Sequence, residues 1–181
     1  MRWKLRSAVV ALCLVAASGQ ALAQTTSAQI GCDGFIDKLR AGANDLGVDF
    51  GHALVVSRAR SDTDVFDITT KSEIEGDMSC RKGRLMRFEA RMSEPASAHA
   101  AGEFESFEAA ALRAAFGWDA AKSRTTAREM SAEAREYLAA SRQRGDVYIS
   151  GKTEAHEPGG ISLGLIVTDT DTAFIIIGAE D

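Results

Sequence analysis

The chain has 181 residues, enough for one domain that buries its own core, so it needs no partner merely to fold. It carries 21 basic and 26 acidic residues and a formal net charge of −5. This balance excludes nucleic acid as a partner, because binding to phosphate backbones depends on neutralisation by Lys and Arg.

The amino-terminal segment has the three parts of a cleavable secretory signal peptide. Residues 1–6 contain three basic residues and no acid, an apolar run follows at 7–18, and Ala-Leu-Ala at 21–23 forms an A-x-A cleavage site. The apolar run is too short to cross a bilayer, which takes about 20 residues. We therefore predict that residues 1–23 are a signal peptide, and that the mature protein has no stable membrane span.

Removal of this segment makes the chain more acidic. The segment holds three of the 21 basic residues and none of the 26 acidic ones, so the mature chain would have a net charge of −8. Arg outnumbers Lys 15 to 6 and Ala is abundant, which is typical of a GC-rich bacterial gene. We predict that the protein is exported to the bacterial periplasm.

Two cysteines remain in the predicted mature chain, Cys32 and Cys80. Neither belongs to a C-x-x-C unit and no histidine accompanies them. An even count in an exported chain favours a disulfide over a metal site. We predict that the two cysteines form a disulfide.

The mature chain begins with small and polar residues at 24–31. They predict a flexible segment, here called the lead, between the cleavage site and the first helix. A helix is predicted at 33–46, with Asp33 as its cap and Gly47 as its stop. Its apolar positions at helical spacing are Phe35, Ile36, Leu39, Ala43 and Leu46.

Strand patterns follow this helix. The first strand is predicted at 52–57, and two further strands are joined around 70–72. After a turn at 81–84, apolar residues at even positions alternate with charged residues over 86–92. This alternation is the plainest half-buried antiparallel strand in the sequence.

The middle of the chain is helical. A linker is predicted at 93–102, and an apolar stripe at helical spacing predicts a helix at 103–118. A second helix is predicted at 131–144, ending at Gly145. The polar segment at 119–129 between them fits either a helix or a loop.

The last part of the chain returns to strands. Apolar residues alternate at 147–149, and Pro and Gly indicate a turn at 154–160. A strongly apolar strand is predicted at 161–167, a polar turn at 169–172, and a buried strand at 173–177.

This order, α-ββββ-αα-βββ, lacks a regular βαβ alternation. It predicts one α+β domain at 32–181, with three helices on one face of a largely antiparallel sheet of about six to seven strands. The two strand-rich halves, each preceded by helix, suggest an internal duplication, although no residue-level similarity establishes it.

A cluster of five basic residues stands out in the acidic chain and is the candidate binding site. It consists of Arg81, Lys82, Arg84, Arg87 and Arg91. The cluster suits an acidic protein or a small anionic ligand. The alternative is charge balance with acids on the adjacent strand, which is common in sheets. These acids are Glu73, Glu75 and Asp77.

The sequence identifies no catalytic residues and predicts no metal and no cofactor. The histidines are His52, His99 and His156, and none has a partner at a spacing of three or four. His156 lies between Glu154 and Glu157, an arrangement that fits either a metal-binding or titrating imidazole or a solvated hairpin tip.

We interpret the chain as an exported, soluble, non-enzymatic module that binds a protein or a small anionic ligand. Two alternatives stay open. One is a periplasmic hydrolytic enzyme whose acids and His156 converge only in the fold, for which a histidine beside two carboxylates would be the sign. The other is an envelope structural or assembly factor, for which an exposed apolar patch or an edge strand would be the sign.

Overall fold

The structure is a computed structural model, which describes residues 30–58, 63–71, 74–94, 96–146, 150–157 and 160–178. Within these residues it contains three helices and one seven-stranded sheet. The helices are α1 (Cys32–Asp45), α2 (Ala98–Phe116) and α3 (Ala120–Arg144). The strands are β1 (His52–Arg58), β2 (Thr63–Thr69), β3 (Glu75–Arg81), β4 (Arg84–Ser93), β5 (Ser150–Glu157), β6 (Ile161–Thr168) and β7 (Asp171–Ile177).

The strand order in the sheet is β1-β2-β3-β4-β7-β6-β5, and every neighbouring pair is antiparallel. The predicted α+β class and the element order are confirmed. The central pair joins β4 to β7, which are the last strands of the two halves.

Three predictions fall outside the described residues: the signal peptide at 1–23, most of the lead, and the strand at 147–149. The lead ends in an ordered contact. Gly31 forms a β-bridge with Arg84, and the backbone carbonyl of Ile30 accepts a hydrogen bond from the backbone N–H of Leu85 at 2.9 Å. Its last two residues therefore pair with the start of β4.

Helix α1 begins one residue earlier than predicted, and the predicted capping role of Asp33 is wrong. Gly31 is the N-cap residue and supplies no side chain, while Asp33 lies in the first turn. The start is held instead by Cys32, whose N–H donates to the carbonyl of Gly83 at 2.9 Å and whose sulfur forms a disulfide with Cys80. The predicted disulfide thus ties α1 to the β3–β4 hairpin.

Helix α2 begins at Ala98, so the linker predicted at 93–102 is wrong in its second half. The hydroxyl of Ser97 accepts a hydrogen bond from the backbone N–H of Ala100 at 3.1 Å and caps the helix. Alanine is the strongest helix former, so the alanines that follow extend the helix toward this cap.

Helix α3 begins at Ala120 instead of 131, because Asp119 caps it by accepting a hydrogen bond from the N–H of Lys122 at 2.8 Å. The polar segment that the sequence left open is therefore helical. Tertiary packing of its few apolar positions, Ala127 and Met130, holds it. None of the helices in the described ranges is long and apolar enough to cross a membrane.

Strand β5 continues to Glu157, so the turn predicted at 154–160 is wrong in its first half. Residues 150–157 pair in register with all of β6, an apolar strand that supplies a continuous ladder. Helix α3 packs closely on this strand, since a Cβ at Gly151 would collide with the carbonyl oxygen of Ala134.

The core lies between the three helices and one face of the sheet. Its centre is aromatic: the ring of Phe88 lies 5.2 Å from Phe35 and 6.2 Å from Phe107, and Phe107 lies 6.3 Å from Phe50. All four side chains are buried. In the described part of the chain the helices cover this face alone, which leaves the opposite face, here called the open face, uncovered.

Candidate functional site

The open face displays alternate residues of each strand. Along β7, Phe174 and Ile176 point into the core, whereas Ala173, Ile175 and Ile177 point to the open face. The strand period of two produces this division. Strands β2 to β4 contribute charged residues to the open face, β7 contributes apolar ones, and β6 contributes the single isoleucine Ile166.

Three carboxylates stand side by side on the open face and are called here the acidic row. Asp67 of β2 is directly opposite Asp77 of β3, which is directly opposite Glu89 of β4. Side chains opposite each other on one face lie about 5 Å apart, and like charges in such positions destabilise a sheet. Repulsion within the row therefore opposes pairing of the three strands unless neighbouring cations offset it.

Glu89 is a buried carboxylate held between two arginines. Nη2 of Arg87 and Nε of Arg91 both donate to its carboxylate oxygens. The Glu89 side chain is 3% exposed, whereas the side chains of Arg87 and Arg91 are 47% and 60% exposed. These charge-assisted bonds compensate the buried charge, and the hydrogen bond to Glu89 raises the pKa of Arg91.

Asp77 is a half-buried carboxylate at the centre of the acidic row. Burial raises the pKa of its carboxyl, and the neighbouring charge of Glu89 raises it further, while Arg87 and Arg91 act in the opposite direction. The net shift of the Asp77 pKa is upward, and burial is its largest cause.

An open depression of about 410 Å³ lies at the acidic row. Its charged lining consists of Asp67, Glu75, Asp77 and Arg91. Glu75 is directly opposite Arg91 in the register. Among its described lining residues the depression therefore presents three carboxylates, and the guanidinium group of Arg91 is bound to Glu89.

An apolar stripe adjoins the acidic row. It consists of Ile166 on β6 and Ala173, Ile175 and Ile177 on β7. Ile177 is 46% exposed and is one of two exposed large hydrophobic residues among the described ones. Ile175 stands beside Glu89 in the register, so the stripe and the row share a border.

The structure divides the predicted basic cluster into two groups. Arg81, Lys82 and Arg84 lie at the β3–β4 hairpin, where Arg81 is opposite Arg84. Arg87 and Arg91 lie on the open face and bind Glu89.

The sequence analysis did not identify Glu89 as their partner. The signal was present in the pattern Arg87-x-Glu89-x-Arg91, which places all three side chains on one strand face. Of the acids predicted to balance the cluster, Glu75 is opposite Arg91 and Asp77 is opposite Glu89. Glu73 lies outside the described residues.

The histidines do not converge. His52 belongs to β1 and His156 to β5, the two edge strands at opposite ends of the sheet, and their side chains lie outside what the structure describes. His99 is on the surface of α2, with Nε2 3.5 Å from Oε2 of Glu103. Among described residues no group of three His, Cys, Asp or Glu side chains is placed to hold a metal ion.

A second depression of about 290 Å³ lies between α3 and the β6–β7 turn. Its charges are paired across it: Arg135 with Glu94 at 3.1 Å, and Arg142 with Asp169. Burial acts to raise the pKa of Glu94, but hydrogen bonds from Thr172, Ala96 and Arg135 outweigh it and lower the pKa. These contacts tie α3 to the sheet.

Glu108 is a buried acid between α2 and α3. Its Oε2 accepts a hydrogen bond from the hydroxyl of Ser131 at 3.5 Å, and Oε1 has no partner in the described part of the structure. Burial raises the pKa of Glu108 well above its usual value, Glu105 adds to the shift, and Ser131 and Arg135 oppose it. Burial therefore favours the protonated form of Glu108 in the folded protein.

Glu108→Gln is expected to raise the free energy of unfolding at pH 8 more than at pH 4, by about 1–3 kcal/mol, because glutamine has no proton to lose. Between the usual pKa of 4.5 and the raised one, the folded state holds a proton that the unfolded state has lost. Stability of the native sequence therefore falls as the pH rises through this range, and the substitution removes that fall.

Thermal unfolding from pH 4 to pH 8 measures this effect, with a shift of about 2–4 °C for each kcal/mol at this chain length. The control is Glu136→Gln, which removes an exposed acid from α3. Parallel pH profiles for the native protein and Glu108→Gln would contradict the prediction.

Comparison of the chain with protein-family models, with curated proteins and with solved structures gives no match. The interpretation of function therefore depends on the geometry of the open face.

Proposed function

We propose that this chain is an exported, soluble, non-enzymatic binding module of the bacterial periplasm, and that it binds a protein through the open face of its sheet. The observation that carries the proposal is an apolar stripe bordered by the acidic row, on the sheet face that the described helices do not cover. Exposed apolar patches with polar borders are typical of protein interaction sites.

Two features support export. The segment at 1–23 has the parts of a secretory signal peptide. The disulfide between Cys32 and Cys80 suits an oxidising compartment, because disulfides persist in the periplasm and are reduced in the cytosol.

The open face suits a protein better than the small anionic ligand that the basic cluster suggested. Arg87 and Arg91 are both bound to the buried carboxylate of Glu89, so an anion would have to compete with it. The depression at the acidic row is lined mainly by carboxylates and repels an anion. A protein segment, in contrast, can cover the apolar stripe and the row together.

The test places a photoreactive amino acid at Ile177 or at Tyr137 in cells. Both residues are large, hydrophobic and about half exposed, at 46% and 50%. Ile177 lies on the open face, whereas Tyr137 lies on α3 in the helical layer. We expect irradiation to give a discrete higher-mass adduct from position 177, absent from position 137.

A second pair of variants checks that the adduct reports binding and not mere exposure. Ile166→Asp in the stripe should reduce the adduct from position 177 at least about fivefold, because a desolvated carboxylate opposes burial of the stripe. Tyr137→Asp should leave it unchanged. The proposal fails if both positions give the same adducts, or if position 177 gives none.

An envelope structural or assembly factor is the second candidate. The half-exposed Ile177 on the open face is the apolar sign that favours this function. The same adducts distinguish the candidates by the identity of the trapped protein, since an assembly factor should be trapped with an envelope component and not with a soluble protein.

A further inference from the structure

The charge of the open face is unbalanced around the acidic row. The acidic row and the next row of the same face on either side of it are considered together. In these three rows, strands β2 to β4 contribute four carboxylates and two guanidinium groups. These groups are Asp67, Glu75, Asp77, Glu89, Arg87 and Arg91. The formal charge of these three rows is therefore −2, and Arg81 and Arg84 lie in the next row, beyond Arg87.

The guanidinium groups of Arg87 and Arg91 are both directed toward the β4 end of the acidic row. Both donate to Glu89, which lies deepest and is 2% exposed. Asp67 is exposed at the outer end and Asp77 is half-buried between them, and both line the depression. A guest cation placed there would relieve the repulsion that also raises the pKa of Asp77.

The apolar stripe begins where the acidic row ends. Asp77, Glu89 and Ile175 occupy one register row on the adjacent strands β3, β4 and β7. Neighbouring strands are about 4.8 Å apart, so Asp77 and Ile175 are separated by about 10 Å. One short segment of a partner therefore reaches the depression and the stripe at the same time.

Building on the proposed function, we propose that the open face binds a protein segment that is basic and apolar together, with a Lys or Arg side chain in the depression beside Asp67 and Asp77 and apolar side chains over Ile175 and Ile177. Burial of the stripe supplies the affinity, and the row selects cationic partners and rejects anionic ones.

Charge complementarity decides against the other occupants of this face. A second copy of the chain would bring its own acidic row and, after the predicted cleavage, a net charge of −8. An anionic lipid surface is repelled by the same carboxylates. The experiments below would also detect binding of a second copy or of an anionic lipid surface.

The first experiment titrates the mature protein with a short peptide of alternating lysine and valine, and with a matched peptide that has glutamate in place of lysine. We expect the lysine peptide to bind and the glutamate peptide to fail. Asp67→Asn combined with Asp77→Asn should weaken the binding about tenfold, or about 1.4 kcal/mol. Higher salt should weaken the binding of the native protein, because salt screens exposed charges.

The matched control is Glu129→Gln combined with Glu136→Gln, which removes two exposed acids from α3 and changes the net charge equally. It should alter the dissociation constant less than about twofold. Equal weakening by both double variants would overturn the proposal, because it would reveal attraction to net charge alone. Asp67→Asn alone, at an exposed site, repeats the test should the double variant unfold.

The second experiment repeats the photocrosslinking from position 177 in both backgrounds. Loss of the adduct with Asp67→Asn and Asp77→Asn, and its retention in the α3 control, supports the inference. An adduct retained in both backgrounds overturns the basic partner but leaves the proposed function standing, whereas no adduct from the native face removes both. Binding of the glutamate peptide or of anionic vesicles, or an adduct with a second copy of the chain, overturns the inference.

Discussion

Replacement of Cys32 and Cys80 by serine is expected to lower the free energy of unfolding by about 4 kcal/mol. The disulfide closes a loop with a sequence separation of 48, and its loss gives the unfolded chain more conformations. Both residues are also buried, at 3% and 1% exposure, so two serine hydroxyls would enter an apolar site. Urea denaturation of the exported protein measures the change.

The native protein in a reducing agent is the control for this variant. It should unfold at nearly the same urea concentration as the double serine variant, because both lack the cross-link. Intact-mass measurement of the exported native protein should show a loss of two hydrogens relative to the reduced chain. Free thiols at both positions, or an unchanged denaturation midpoint, would contradict the prediction.

Phe88→Ala is expected to cost about 3–5 kcal/mol, the usual range for an aromatic side chain removed from a packed core. Phe88 is 0% exposed and lies between Phe35 of α1 and Phe107 of α2. Its removal leaves a cavity where two helices meet the centre of the sheet, and urea denaturation measures the loss.

The matched control is Ile177→Ala on β7, the strand that pairs with β4. Because Ile177 is half-exposed on the open face, its truncation should change stability by no more than about 0.5 kcal/mol. Equal losses in the two variants would contradict the division of the sheet into a core face and an open face. A small loss at Ile177 would also mean that folding does not require its apolar side chain, which agrees with a role in binding.

Local patterns in the sequence were sufficient for most of the fold. The alternation at 86–92 predicted β4, and the helical spacing from Phe35 to Ala43 predicted α1. The errors lie at element ends. Alanine-rich and polar stretches carry no periodic apolar signal, so the extra turns of α2 and α3 depended on the caps Ser97 and Asp119 and on tertiary packing.

The candidate site was much less accessible from the sequence. The five basic residues looked like one cluster because they are close in the chain, yet the structure places three of them at the β3–β4 hairpin and two against Glu89. The acidic row joins residues from three strands, Asp67, Asp77 and Glu89, and its register depends on how each hairpin pairs.

The sequence by itself determined the predicted export address, the pairing of Cys32 with Cys80 as the available disulfide, and the α+β order, because charge, cysteine count and hydrophobic period are local properties. Only the tertiary structure decided that β4 pairs with β7. That pairing places the acidic row beside the apolar stripe, and the helices cover the opposite face of the sheet. The physical reason is that register and layer packing are set by contacts between segments far apart in the chain, which no local pattern contains.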